Sequence, residues 1–116
     1  MSQSPTFESK IVPPEELSAR LRSQARPLVF TNGVFDVLHR GHTTYLAESR
    51  ALGASLIVAL NSDLSVKRLG KGADRPVNPL EDRLAVMAAL ESVSLVTWFE
   101  EDTPLSLILI CRPDVL

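Results

Sequence analysis

A chain of 116 residues, 45% hydrophobic and 22% charged, has the composition of one soluble domain with a real core. Its net charge of −2, with basic residues gathered only at Lys67-Arg68 and Lys71, excludes a broad nucleic-acid footprint and suits a small anionic ligand. A single cysteine, Cys111, excludes a disulfide framework or a thiolate metal site, and no apolar run approaches the length of a membrane span.

Residues 1–12 read as polar and irregular, and Met1 to Lys10 lacks the apolar centre of a signal peptide, so a cytoplasmic location is expected. Pro13-Pro14-Glu15-Glu16 has the proline and acidic residues of a helix start, and that helix should run to about Ala25. Residues 1–26 thus form an N-terminal segment and helix, and 27–116 the main domain. Pro27 leads into a first strand, Leu28 to Thr31. Thr43 to Leu52 reads as a helix stopped by a C-cap glycine, Gly53. Leu56-Ile57-Val58-Ala59-Leu60 is a continuous apolar run, as expected of a strand buried on both faces of a parallel sheet. Asn61-Ser62-Asp63 favours a helix cap before a short helix to about Leu69, and residues 70–76 form a loop.

Leu80, Leu84, Met87 and Ala88 lie on one face of a helix over residues 80–91. Ser94 to Phe99 is the third strand, with Trp98 and Phe99 in the core. Pro104 opens a helix that should direct Leu105, Ile108 and Leu109 inward, and Asp114-Val115-Leu116 begins a fourth strand. Alternating strands and helices of these lengths predict an α/β fold: a Rossmann-like doubly wound parallel sheet with helices on both faces. Ligands of such sheets bind at the carboxyl ends of strands, where Gly33–His42 and Asn61–Asp63 both fall and should meet.

The segment Thr31-Asn32-Gly33-Val34-Phe35-Asp36-Val37-Leu38-His39-Arg40-Gly41-His42 places two histidines around a glycine where a strand hands over to a helix. Unpaired N–H groups and partial positive charge at a helix N-terminus attract phosphate, the histidines can donate to phosphoryl oxygens, and Gly41 lets a phosphate approach the backbone. Asp36 fits a turn residue that shapes the loop at least as well as a ligand contact, while Thr31 and Asn32 could touch substrate or shape the turn. Asp63 is either a first-turn acid or a polar ligand contact. Lys71, between two glycines, looks like a mobile cation that closes over phosphates, and Arg83 can reach the pocket edge or pair with Glu81 or Glu91. His39, His42 and Asp36 could supply three zinc ligands, but no second cluster accompanies them, so no metal site is assigned.

Asn32 to His42 closely resembles the G-x-F-D-x-x-H-x-G-H signature of the cytidylyltransferase-like nucleotidyltransferases. The resemblance continues through Asn61-Ser62-Asp63, Arg75-Pro76-Val77-Asn78, Glu81-Asp82-Arg83 and Arg112 to Leu116, a set most similar to the bacterial heptose 1-phosphate adenylyltransferases of lipopolysaccharide synthesis. It implies transfer of AMP from ATP, accompanied by Mg²⁺, to a heptose 1-phosphate, giving ADP-heptose and pyrophosphate. It also implies catalytic roles for His39, His42 and Lys71, and nucleotide contacts from Gly33, Val34, Phe35, Gly41, His42, Asp63 and Arg83. Members are often homodimers. Their chains run on past this last strand, so the domain is expected to be incomplete at its C-terminal end. A cytidylyltransferase acting on glycerol phosphate and a non-catalytic nucleotide-binding module remain the alternatives.

Overall fold

The computed structural model describes residues 5–70 and 72–116. Three parallel strands, β1 (Leu28–Gly33), β2 (Ser55–Asn61) and β3 (Leu95–Phe99), lie in the order β1-β2-β3. Every residue of β2 is buried, as its unbroken apolar run requires of a central strand. Val115 bridges Val29 in parallel on the free edge of β1, where the predicted fourth strand begins, and Ile11 bridges Val96 on the free edge of β3.

Side chains alternate across the sheet and build two cores. Leu28, Phe30, Ile57, Ala59, Leu95 and Phe99 meet Val12, which precedes α1 (Pro14–Leu21), Leu17 of α1, and Leu107 and Cys111 of α5 (Leu105–Cys111). Val29, Leu56, Val58, Leu60 and Val96 meet Leu46 of α2 (Arg40–Arg50) and Leu84, Met87 and Ala88 of α4 (Leu80–Ala89). A short helix, α3 (Asp63–Arg68), follows β2. Right-handed crossovers from β1 through β3 put their helices on one face, and reversal toward Val115 puts α5 on the other. The sheet is therefore doubly wound, with its reversal at β1. No helix among the described residues is long and apolar enough to cross a membrane.

Several local expectations are corrected. The N-terminal segment is not irregular: Thr6–Lys10 is a 3₁₀ helix and Val12 is fully buried. α1 ends at Leu21, β1 extends to Gly33, and α2 starts at Arg40, directly after the first histidine. Gly53 is not a left-handed C-cap; a Cβ there would lie 2.5 Å from the Pro27 carbonyl oxygen, so glycine is needed for close passage under β1. On α5, Leu107 and Cys111 face the core while Leu105 and Leu109 are exposed. A helix that is apolar all round has no amphipathic stripe from which to read its inner face.

Thr97 is fully buried in β3 and its hydroxyl has no hydrogen-bond partner among the described residues. By alternation it shares the apolar face of Leu95 and Phe99. Thr97→Val keeps the shape and removes the orphan donor, so it should stabilise the fold by about 1 kcal/mol. A higher midpoint in urea denaturation with an unchanged slope is the expected result; an unchanged or lower midpoint contradicts it.

Candidate functional site

His39 is the N-cap of α2. Its Nδ1 accepts from the Gly41 N–H at 2.9 Å, and the Nδ1 of His42 accepts from the His39 N–H at 3.2 Å. Two histidines thus do the work usually done by Ser and Glu in a reciprocal helix cap. With both Nδ1 atoms accepting, each neutral imidazole carries its proton on Nε2. The ring centroids lie 4.2 Å apart, so the two imidazoles are in contact where they line the pocket at the end of β1. Gly41 has a second role beside the expected one. A Cβ on it would sit 2.6 Å from His39 Cε1, so its missing side chain makes room for the capping ring.

Phe35 has φ of 49°, in the left-handed region that costs a non-glycine residue about 1–2 kcal/mol. This conformation folds its ring over Gly33, whose Cβ would meet the ring at 2.9 Å. The ring then packs edge-on against His42 at 5.7 Å between centroids. The consequence is an open pocket of about 370 Å³ at the end of β1. Gly33, Val34, Phe35, Asp36, His39 and His42 line it, joined by Val37, Val66 and Arg75.

Asp36 is a loop-shaping residue, but its reach is long. Its carboxylate, 6% exposed, accepts from the N–H groups of Val77 (2.7 Å) and Asn78 (2.8 Å) and from Arg75 Nη1 (2.9 Å). Asn78 Nδ2 returns a bond to the Asp36 carbonyl at 2.6 Å. Burial pushes the Asp36 carboxyl up, but these donors outweigh it and hold it below its ordinary value. A carboxylate so engaged is no third ligand for a zinc ion between the histidines, and no group of three His, Cys, Asp or Glu residues that could hold a metal occurs among the described residues.

Arg83 does not pair with Glu81 or Glu91. It is 1% exposed and donates to the carbonyls of Asn78 (3.0 Å), Val34 (3.1 Å) and Asn61 (2.8 Å) and to Asp63 Oδ1 (2.6 Å). One guanidinium therefore ties the ends of β1 and β2 together, which brings the two predicted loops into one place. Asp63 faces Arg83, and Ser62, not Asp63, caps α3 by accepting from the Ser65 N–H. Thr31 shares a hydrogen bond with the Tyr45 hydroxyl at 2.7 Å, and Asn32 is exposed at the strand end. Neither lines the pocket, nor do Gly41, Asp63 and Arg83. Lys71 lies outside the described residues. Arg75 and Asn78 had no individual role in the sequence reading. The signal for them was Asp36, an acid in an apolar turn that needed partners from elsewhere.

The cap makes stability pH-dependent. Burial, and then the neighbouring His39, lower the His42 pKa below the ordinary 6.5. The unfolded chain therefore binds the proton first, so this contribution is whole above 6.5 and is lost as pH falls below it. Asp36, held below 3.8, adds a second loss in stronger acid. Denaturation midpoints should fall between about pH 7 and pH 5, and His42→Asn should flatten that slope; an equally steep slope in the variant would refute the assignment.

Comparison with known proteins agrees with this geometry. A sequence model of the cytidylyltransferase-like family matches residues 30–116. D-beta-D-heptose 1-phosphate adenylyltransferase of Bordetella bronchiseptica is 58% identical over 112 residues, covering 95% of this chain and 69% of that protein. The bifunctional protein HldE of Hahella chejuensis is 56% identical over 95 residues, 82% of this chain, and that of Salmonella arizonae 59% over 98 residues, 84% of it; the match spans 20% of each HldE. Among solved structures, the lipopolysaccharide core biosynthesis protein of Thermoplasma volcanium superposes with a TM-score of 0.69 at 33% identity, covering 75% of this chain and 69% of that one. With its histidine-capped helix at the reversal of a doubly wound sheet and this match over three quarters of its length, the chain belongs to the cytidylyltransferase-like family.

Proposed function

We propose that the protein transfers AMP from ATP to a heptose 1-phosphate, releasing pyrophosphate and giving an ADP-heptose. The observation that carries this reading is the pair of imidazoles whose Nδ1 atoms are both engaged by backbone N–H groups beside the pocket. An oxygen of the sugar phosphate attacks the α-phosphorus of ATP, the new P–O bond forms, and the bond to the β-phosphate bridge breaks. The nucleophile is already an anion, so the site needs no general base. It needs alignment and donors for the charge that builds on the phosphoryl oxygens. His39 and His42 supply the donors, the loop from Gly33 to Phe35 shapes the bed for the nucleotide, and Lys71 adds a cation. Mg²⁺ enters as the counter-ion of ATP, held by triphosphate oxygens and water. The adenylyl and heptose assignments draw support from the 58% identical relative of that name.

An ATP-consuming step of this kind belongs in the cytoplasm, and a homodimer fits the apolar Leu105 and Leu109 exposed on α5. Pyrophosphate release measured with ATP and CTP, each against heptose 1-phosphate and glycerol 3-phosphate, tests the reading. Turnover with ATP and heptose 1-phosphate is the expected result. Turnover only with CTP and the polyol phosphate would transfer the protein to the cytidylyl branch, and nucleotide binding without turnover would make it a binding module.

A further inference from the structure

We infer that Arg75 is a substrate-binding residue that grips a phosphoryl group in this pocket. The inference rests on the reading of the pocket as a phosphate site. An arginine that served only to neutralise Asp36 would be buried with it in a two-point contact. Instead Asp36 is 6% exposed and the Arg75 side chain 39% exposed, and a single nitrogen, Nη1, joins them at 2.9 Å. The Asp36 carboxylate already accepts the Val77 and Asn78 N–H groups, so its anchoring role does not depend on Arg75. Arg75 lines the pocket together with His39 and His42, and among the described residues its Nε and Nη2 have no partner.

The charges point the same way. Asp36 and Arg75 are the charged residues of the described pocket lining. An incoming polyanion meets a carboxylate there unless the guanidinium shields it. Moored by Nη1, Arg75 is held in place with the rest of its planar fork free for phosphoryl oxygens, so little rotamer freedom is lost on binding. The oxygens belong either to the triphosphate of ATP or to the phosphate of the sugar.

Arg75→Gln and Arg75→Lys separate the possibilities by calorimetric titration with ATP alone and with heptose 1-phosphate alone, with thermal melting in parallel. Loss of a charged hydrogen bond should weaken one ligand about ten- to hundredfold in R75Q, and R75K should recover part of it. The ligand that weakens identifies the phosphate that Arg75 holds. Wild-type affinity for both ligands in R75Q overturns the inference. So does a loss of affinity that comes with a lowered melting temperature and is not relieved in R75K, since that is a structural role. A protein that binds these ligands through Arg75 but releases no pyrophosphate would fail the proposed function and leave Arg75 in place.

Discussion

Replacing His42 by alanine is expected to lower kcat/KM for ATP about 10²–10³-fold, the usual effect of deleting one preorganised donor to a transition-state oxyanion, roughly 2.7–4 kcal/mol. The imidazole has two jobs. On the proposed reading Nε2 is the donor to the phosphoryl oxygens of the substrate, while Nδ1 accepts the His39 N–H and closes the helix cap. Alanine removes both. Asparagine separates them, because its side-chain oxygen can take the place of Nδ1 in the cap while nothing replaces the Nε2–H. H42N should therefore melt close to the wild type and still lose most of its activity. The same holds in mirror image for His39, whose Nδ1 caps the Gly41 N–H. Because the two rings share one helix cap and lie in contact, 4.2 Å between centroids, the double variant should be only slightly slower than the worse single variant. Steady-state pyrophosphate release gives these numbers. Activity within a few-fold of wild type in H42A, or additive losses in the double variant, would rule out a coupled donor pair.

Arg83→Met should be the most damaging single change to the fold, at about 3–5 kcal/mol. The guanidinium is 1% exposed, and its loss leaves the carbonyls of Val34, Asn61 and Asn78 and the Asp63 carboxylate without their donor. The Asn61 carbonyl is buried with the guanidinium, so its desolvation cost is felt in full, and the part-buried carbonyls of Val34 and Asn78 lose their donor as well. Lysine should not rescue it, because one ammonium on a flexible stem cannot meet four acceptors spread over a planar fork. Asp63→Asn should cost far less, since that carboxylate is 43% exposed and can turn to solvent. Urea denaturation of the three variants provides the test, and a loss below about 1 kcal/mol in R83M would show that the acceptors find other partners.

The strands and the histidine pair were legible in the sequence for a simple physical reason. Both signals are local: an unbroken apolar run such as Leu56–Leu60 marks a strand covered on both sides, and H-x-G-H keeps its geometry within one helical turn. The roles of Asp36 and Arg83 were only half legible. Asp36 was read as a loop-shaping residue or a ligand contact, and the hydrogen-bond partners of its carboxylate lie about forty residues on, at Arg75 to Asn78. Arg83 binds mostly main-chain carbonyls, which every residue has and no sequence advertises. The inner face of α5 was only partly legible: Ile108 packs on the core as expected, but leucine and isoleucine occupy most of the helix surface, so tertiary packing selects Leu107 and Cys111 over Leu105 and Leu109.

On the proposed donor role of His39 and His42, the histidine cap also ties activity to the order of one helical turn. Fraying at the start of α2 breaks the bonds from Gly41 and His39 to the two rings, and with them goes the alignment of both donors. The three-stranded sheet has no part in those bonds and would survive such an event. On gentle warming, then, inactivation should run ahead of global melting, with the catalyst lost while most of the molecule is still native.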